Sequence, residues 1–200
     1  MSFFVTGTDT DVGKTLIAAA LLHVLADRGL RVVGMKPVAA GCEAGVWHDV
    51  AALQQASNVD APLAWRNPYQ FNPPIAPHLA AAQAQVNMEL TVMQAAYAEL
   101  SQLADVVVVE GAGGFFVPVN ATQTLADFAQ LLNLPVILVV GMRLGCINHA
   151  LLTVAAIQAC GLPLAGWVAN CMVADMPMLN DNIQSLMRRI DAPLLGVVPF

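Results

Sequence analysis

The chain has 200 residues, of which 58% are hydrophobic and 11% charged, and its formal net charge is -6. So apolar a composition excludes a disordered chain, and the length suits one globular domain, residues 1–200, with a sizeable core. The negative balance leaves no basic surplus to neutralise a phosphodiester backbone, which argues against nucleic acid as a partner.

Short β-branched runs alternate with longer segments of helical spacing. A first strand is predicted over residues 3–6, followed by a Gly-rich loop over 7–15. The helix after it presents Leu16, Ile17, Ala20, Leu21, Val24 and Leu25 and ends at Gly29. A second strand covers 31–36. From 37 to 77 the pattern dissolves into Gly, Pro and Asn punctuation around a short helix at 48–56, and a loop of that length often carries function. A helix over 89–103, a strand over 106–110 and a helix capped by Thr124 and ending near 132 come next. Strands at 135–141, 164–169 and 194–198 alternate with helices at 148–160 and after Pro177. This order predicts an α/β fold, P-loop NTPase-like, with a mainly parallel sheet and helices on both faces.

Cys42, Cys146, Cys160 and Cys171 have neither CxxC spacing nor the density of a disulfide framework, which fits thiols in a reducing cytosol. No basic region precedes an apolar stretch at the start of the chain, so no secretion signal is expected. The apolar runs at 106–109 and 135–140 fall short of the roughly 18 residues that suggest a membrane span. A cytoplasmic protein without a membrane partner is the expectation.

The loop Gly7-Thr8-Asp9-Thr10-Asp11-Val12-Gly13-Lys14-Thr15 lies between a strand and a helix, where successive backbone amides and the helix dipole surround a phosphate. Gly13 permits close approach, Lys14 reaches the outer phosphates, and the Thr15 hydroxyl suits the Mg2+ that accompanies ATP. Five residues separate Gly7 from Gly13, one more than in GxxxxGK[ST], and Thr8 stands where the first glycine is usual. The GKT core is intact.

Only Lys14 and Lys36 are lysines. Lys36 ends the second strand, and ligands of open parallel sheets bind at strand carboxyl ends, so both ammonium groups are candidates for one site. Taken alone, Lys36 reads equally as a solvated strand end; the scarcity of lysine elsewhere favours function. Glu110 ends an apolar strand, as a magnesium ligand or its support does in P-loop proteins, and Gly111, Ala112, Gly113 and Gly114 then let backbone approach a ligand. Asp49, read alone, is a solvated loop acid or another magnesium ligand.

Taken together, GTDTDVGKT at 7–15, GMKPVAAG at 34–41, EGAGG at 110–114 and GCINHALLT at 145–153 resemble dethiobiotin synthetase, as do WVAN at 167–170 and APLLGVVP at 192–199. The resemblance spans nearly the whole chain in the family's order. It implies ATP-dependent closure of a cyclic urea from 7,8-diaminopelargonate and carbon dioxide in biotin biosynthesis, through a carbamate and its mixed anhydride with phosphate.

By the same resemblance, Thr15, Asp49 and Glu110 bind Mg2+, Lys14 and Lys36 are catalytic, and Lys36 stabilises the carbamate. The nucleotide is held by Asp11, Val12, Gly13, Lys14, Thr15, Leu16, Asp49, Glu110, Gly111, Ala112 and Gly113, with Asn170 and Pro199 at the adenine. Thr10, Lys36 and Ala40 meet the substrate; Ala40 stands where the family commonly has a hydroxyl residue. The substrate carboxylate is held across a homodimer by a helix start matching Gly145, Cys146, Ile147 and Asn148, where backbone amides suit an anion. The alternative is a P-loop ATPase switch acting with a protein partner. Such switches usually carry an extra lysine early in the loop, whereas residues 8–12 here hold two aspartates.

Overall fold

The computed structural model describes residues 2–200. In chain order the elements are β1 (Phe3–Gly7), α1 (Lys14–Asp27), β2 (Val32–Met35), β3 (Val38–Ala40), α2 (His48–Ala56), α3 (Leu63–Arg66), β4 (Tyr69–Phe71) and α4 (Pro77–Gln83). Then follow α5 (Leu90–Leu103), β5 (Val106–Gly114), α6 (Leu125–Leu132), β6 (Val136–Met142), α7 (Cys146–Ala159), β7 (Leu164–Cys171), α8 (Leu179–Met187) and β8 (Leu194–Val198).

Helical crossovers force the main strands to run in one direction. They form a parallel six-stranded sheet in the order β2-β5-β1-β6-β7-β8. β1 is central: Val5 pairs with Glu110 of β5 on one side and with Ile137 of β6 on the other. The chain leaves β1 toward one sheet edge and later fills the other, so the loop after β1 opens at the point where strand order reverses. Ligands of such sheets bind there.

The alternation of side chains divides the core between two faces. Val5, Val32, Val106, Val108, Ile137 and Val139 pack against α1 and α2. Phe4, Val33, Met35, Val107 and Val109 face α5 and α6, while Leu138, Val140 and Trp167 meet α7 and α8. Both faces are therefore covered, as expected of strands that are almost continuously apolar. No helix among the described residues is long and apolar enough to cross a membrane.

The helix at 48–56 and the strand at 194–198 have the expected bounds, and Thr124 caps α6 in a reciprocal capping box with Asp127. Other elements differ. In α1 the buried side chains include Ile17, Ala18 and Leu22, while Leu16 and Val24 are exposed. Almost every position of that helix is apolar, so periodicity does not choose a face. Helix α7 starts at Cys146 because Gly145, at φ +94°, supplies its cap, and α8 starts at Leu179 because Met178 takes a left-handed conformation after Pro177. Strand β5 runs on to Gly114, past Glu110, because Gly114 pairs with Gly7 beyond an irregularity in the ladder.

Residues 37–77 hold more structure than their punctuation implied. β3 and β4 form a separate parallel pair, Val38 with Tyr69 and Ala40 with Phe71. Trp47 Nε1 donates to the Phe71 carbonyl at 3.0 Å, which ties the start of α2 to the same unit.

Candidate active site

The phosphate loop is fixed by small residues beneath a large one. A Cβ on Gly7 would lie 2.6 Å from a Val12 methyl and one on Gly141 2.7 Å from the other, so buried Val12 seats between β1 and β6 only because both are glycine. Thr8, in place of the usual first glycine, donates its amide to the Val139 carbonyl at 3.0 Å. Its hydroxyl accepts from the Gly141 amide at 3.3 Å. Gly13 takes φ +89° at the N-terminus of α1, where the first helical amides have no intrahelical partner and suit an anion.

Lys14 is buried and folds back to donate to the Asp9 carbonyl at 2.8 Å. Desolvation, with a further push from Lys36, lowers its pKa to about 8. Lys36, 3% exposed, donates from Nζ to Glu110 Oε1 at 2.5 Å and to the Gly111 carbonyl at 3.3 Å, and pairs with Asp49 Oδ2 at 2.8 Å. Thr15 Oγ1 donates to the same Glu110 Oε1 at 2.9 Å. The first turn of α1 and the residue that follows β2 thus converge on one carboxylate within β5.

Burial is the largest influence on each member of this cluster. It drives the Glu110 carboxyl above its ordinary range despite Lys36. For Lys36, burial is outweighed by Glu110 and Asp49, which hold the ammonium charged. Asp49 is half exposed, and Lys36 overcomes its burial and keeps the carboxyl below its usual range. Glu110 Oε2 is buried with no hydrogen-bond partner. That oxygen, with the Thr15 hydroxyl and the Asp49 carboxylate lining the same cleft, is of the hard-donor kind that fits Mg2+.

A cleft of about 880 Å³ unites these groups with Thr10, Asp11, Gly13, Ala40, Ala112 and Gly113. The structure therefore gathers Thr10, Asp11, Gly13, Lys14, Thr15, Lys36, Ala40, Asp49, Glu110, Ala112 and Gly113 at one opening. Gly111 lies behind it and reaches it through its carbonyl. Leu16 is exposed on α1, one residue past the loop.

Asn170 ends up beneath the loop, donating from Nδ2 to the Val12 carbonyl at 2.9 Å, and it pairs with Val198, the residue before Pro199. Gly145, Cys146, Ile147 and Asn148 do not line this cleft. The Cys146 amide, a candidate anion donor on sequence, is already bonded to the Arg143 carbonyl at 3.0 Å, because the turn into α7 folds it inward. Leu144, just ahead of that turn, is fully exposed.

The cleft wall opposite the phosphate loop comes from the segment that sequence marked only as a long loop. Ala39, Gly41, Cys42, Trp47, Pro74, Ile75 and Pro77 make it mostly apolar. Its proline and glycine density was the available signal, but the β3–β4 pairing that brings these residues together has strands of three residues each. Such short strands leave no periodicity to read.

A family model described as an AAA domain matches residues 1–200. Among solved structures, the septum site-determining protein MinD of Pyrococcus horikoshii, complexed with Mg-ADP, covers all of this chain and 82% of its own at 15% identity and a TM-score of 0.58. A ParA family ATPase from Chlorobium tepidum does so over 100% and 84% at 12% identity and a TM-score of 0.59. These likenesses establish the P-loop NTPase-like fold alone.

Sequence relatives are far closer. The chain is 54% identical over 198 residues to the ATP-dependent dethiobiotin synthetase BioD of Nitrosospira multiformis, covering 99% of this chain and 88% of the relative. The protein of the same name from Aromatoleum aromaticum is 54% identical over 202 residues, 99% and 90% of the two chains. That from Cellvibrio japonicus matches at 54%, over 99% and 89%. Identity of this order over almost the full length of each relative leaves the switch ATPases as sharers of the fold, and the chain belongs to the ATP-dependent dethiobiotin synthetase family.

Proposed function

We propose that residues 1–200 act as one catalytic domain, in the cytoplasm, and that the cleft carries out dethiobiotin synthesis from 7,8-diaminopelargonate, carbon dioxide and ATP. As a member of its family the chain is an ATP-dependent ligase of biotin biosynthesis that forms carbon–nitrogen bonds. The single observation that carries the site assignment is the buried Lys36 ammonium, held at Glu110 and Asp49 in the same cleft as the phosphate-loop lysine.

Lys36 gives this reading its chemistry. One amine of the substrate attacks carbon dioxide and releases a proton to solvent, leaving a carbamate anion whose charge the ammonium of Lys36 offsets. A carbamate oxygen then attacks the γ-phosphorus, the bond to the β-phosphate oxygen breaks, and ADP leaves. The neighbouring amine attacks the carbonyl carbon of the mixed anhydride, the carbon–oxygen bond breaks, and phosphate departs with that oxygen as the amine gives up a proton to solvent and the urea ring closes. No protein nucleophile takes part; the chain supplies position and charge.

The loop amides and Lys14 hold the phosphates, with Asp11, Val12, Gly13 and Leu16 around them. Gly111, Ala112 and Gly113 border the outer phosphates, and Asn170 and Pro199 border the base. Thr15, Asp49 and Glu110 would hold Mg2+, which when bound neutralises charge on the phosphate oxygens. Thr10 and Ala40 contact the diamine. Its carboxylate is received by the turn at Gly145, Cys146, Ile147 and Asn148 of a second copy, mainly through the amides after Cys146, and exposed Leu144 supports that surface as an interface.

Bicarbonate labelled with oxygen-18 tests the sequence of steps. Label should appear in the released phosphate, since the carbamate oxygen leaves with phosphorus; unlabelled phosphate contradicts the mixed anhydride. Mass in solution tests the pairing, and a monomer that still forms product rules out the shared site.

A further inference from the structure

Lys36 is held from behind as firmly as from the cleft. Its backbone amide donates to the Arg66 carbonyl at 2.8 Å, and its carbonyl accepts from Asn67 Nδ2 at 2.6 Å. The same Asn67 amide nitrogen, at the C-terminus of α3, donates to the Tyr69 carbonyl at the start of β4, 3.1 Å away. One step on, the Tyr69 amide donates to the Pro37 carbonyl at 3.2 Å, which leads into the β3–β4 pairing. A side-chain amide thus stands in for the ladder bond that the chain lacks between Lys36 and the start of β4.

Asn67 is 3% exposed and does not line the cleft. Both nitrogen hydrogens point at carbonyls, so the amide orientation is fixed: its oxygen there would meet two acceptors. Oδ1 is left buried without a partner. Buried polar atoms are normally paired, and what this residue retains in exchange is the double donation across Lys36 and Tyr69. Arg66, whose carbonyl takes the Lys36 amide, is itself anchored, donating from Nε to the Ala61 carbonyl at 3.0 Å and from Nη2 to the Val59 carbonyl at 2.6 Å.

We infer that Asn67 is a positioning residue for the ligase reaction, clamping the Lys36 backbone so that its ammonium stays between Asp49 and Glu110 at the point where carbamate is phosphorylated. The inference rests on the role given to Lys36 above. A lysine has a long flexible stem, and a fixed backbone at Cα limits where its ammonium travels. Displacement of about 1 Å in a catalytic group costs up to roughly 100-fold in rate. The nucleotide is held by the phosphate loop, which Asn67 does not touch, so its loss separates turnover from ATP binding.

Steady-state kinetics of Asn67→Ala, Asn67→Ser and Lys36→Ala, each with a thermal melt, test the inference. Asn67→Ala should lower kcat roughly 10- to 100-fold while KM for ATP moves by less than about threefold. Asn67→Ser keeps one donor and should recover part of kcat; if the alanine variant does not fold, the serine variant is judged by the same split. Loss of turnover in Lys36→Ala with normal kcat in both Asn67 variants overturns the clamp and spares the lysine. Normal turnover in Lys36→Ala overturns the premise itself. Parallel damage to kcat, KM for ATP and melting temperature in the Asn67 variants makes Asn67 a scaffold residue only, which also contradicts the inference.

Discussion

Lys36 Nζ lies 2.5 Å from Glu110 Oε1, and that same oxygen accepts from Thr15 Oγ1 at 2.9 Å. The residue just past β2, the middle of β5 and the first turn of α1 are thereby tied through one buried atom. In the function proposed above, the lysine distinguishes this cleft from a general ATP site, because a phosphate loop with its own lysine already suffices to hold nucleotide.

Lys36→Ala should therefore bind ATP with near-normal affinity and lose product formation by roughly 100-fold or more, the scale seen when a charge-stabilising donor is removed. Calorimetric titration with ATP and a product assay on the same preparation check both halves. Unchanged turnover would remove Lys36 from the mechanism.

Nucleotide affinity should depend on pH through Lys14, whose pKa is lowered from 10.5 to about 8 by burial. Bound phosphates favour the ammonium, so its pKa rises on binding. Affinity is then flat below about pH 8 and falls above it, by up to about tenfold per pH unit, because each complex must take up a proton. The same group acts oppositely on the free protein. Between about 8 and 10.5 the unfolded chain holds the proton more tightly, so this group's contribution to stability rises with pH. Titrations from pH 7 to 9.5 in buffers of different ionisation enthalpy measure the proton directly; no uptake at pH 9 would exclude the assignment.

Gly13→Ala should disable the loop. The residue sits at φ +89°, and an added Cβ would lie 2.2 Å from Asn170 Nδ2. The left-handed backbone alone costs about 1–2 kcal/mol in a non-glycine residue, and the collision displaces the amide that holds the Val12 carbonyl. A lowered melting temperature together with loss of ATP binding is the expected result. A stable variant with intact affinity would show that the loop repacks freely.

Ala40→Ser restores a hydroxyl at the cleft wall, next to the lysine segment. One net hydrogen bond is worth about 1 kcal/mol, so KM for the diamine should fall roughly fivefold with KM for ATP unchanged. An unchanged diamine KM would mean that Ala40 does not meet the substrate.

Much of this arrangement was legible in the sequence because its parts obey strong local rules. Residues 7–15 combine a strand end, a glycine that needs positive φ and a helix start, and Val106-Val107-Val108-Val109 makes a strand that can only be central. Lys36 and Glu110 read as strand ends in the sequence; Lys36 falls one residue past β2 and Glu110 inside β5, because the glycines after Glu110 carry the strand on to Gly114. Asn67 was not legible, since an asparagine in a proline-rich stretch looks like any turn residue until the β3–β4 pair folds it against Lys36. The packed face of α1 was misread for the opposite reason: too many apolar side chains, with Leu16 and Val24 left exposed beside buried Ile17 and Leu22.

We propose that this cleft couples ATP to ring closure. Purified protein incubated with Mg-ATP, bicarbonate and 7,8-diaminopelargonate, with products followed by mass spectrometry, tests it most directly. Stoichiometric ADP, phosphate and dethiobiotin are expected; ATP hydrolysis without the cyclic urea would rule the coupling out.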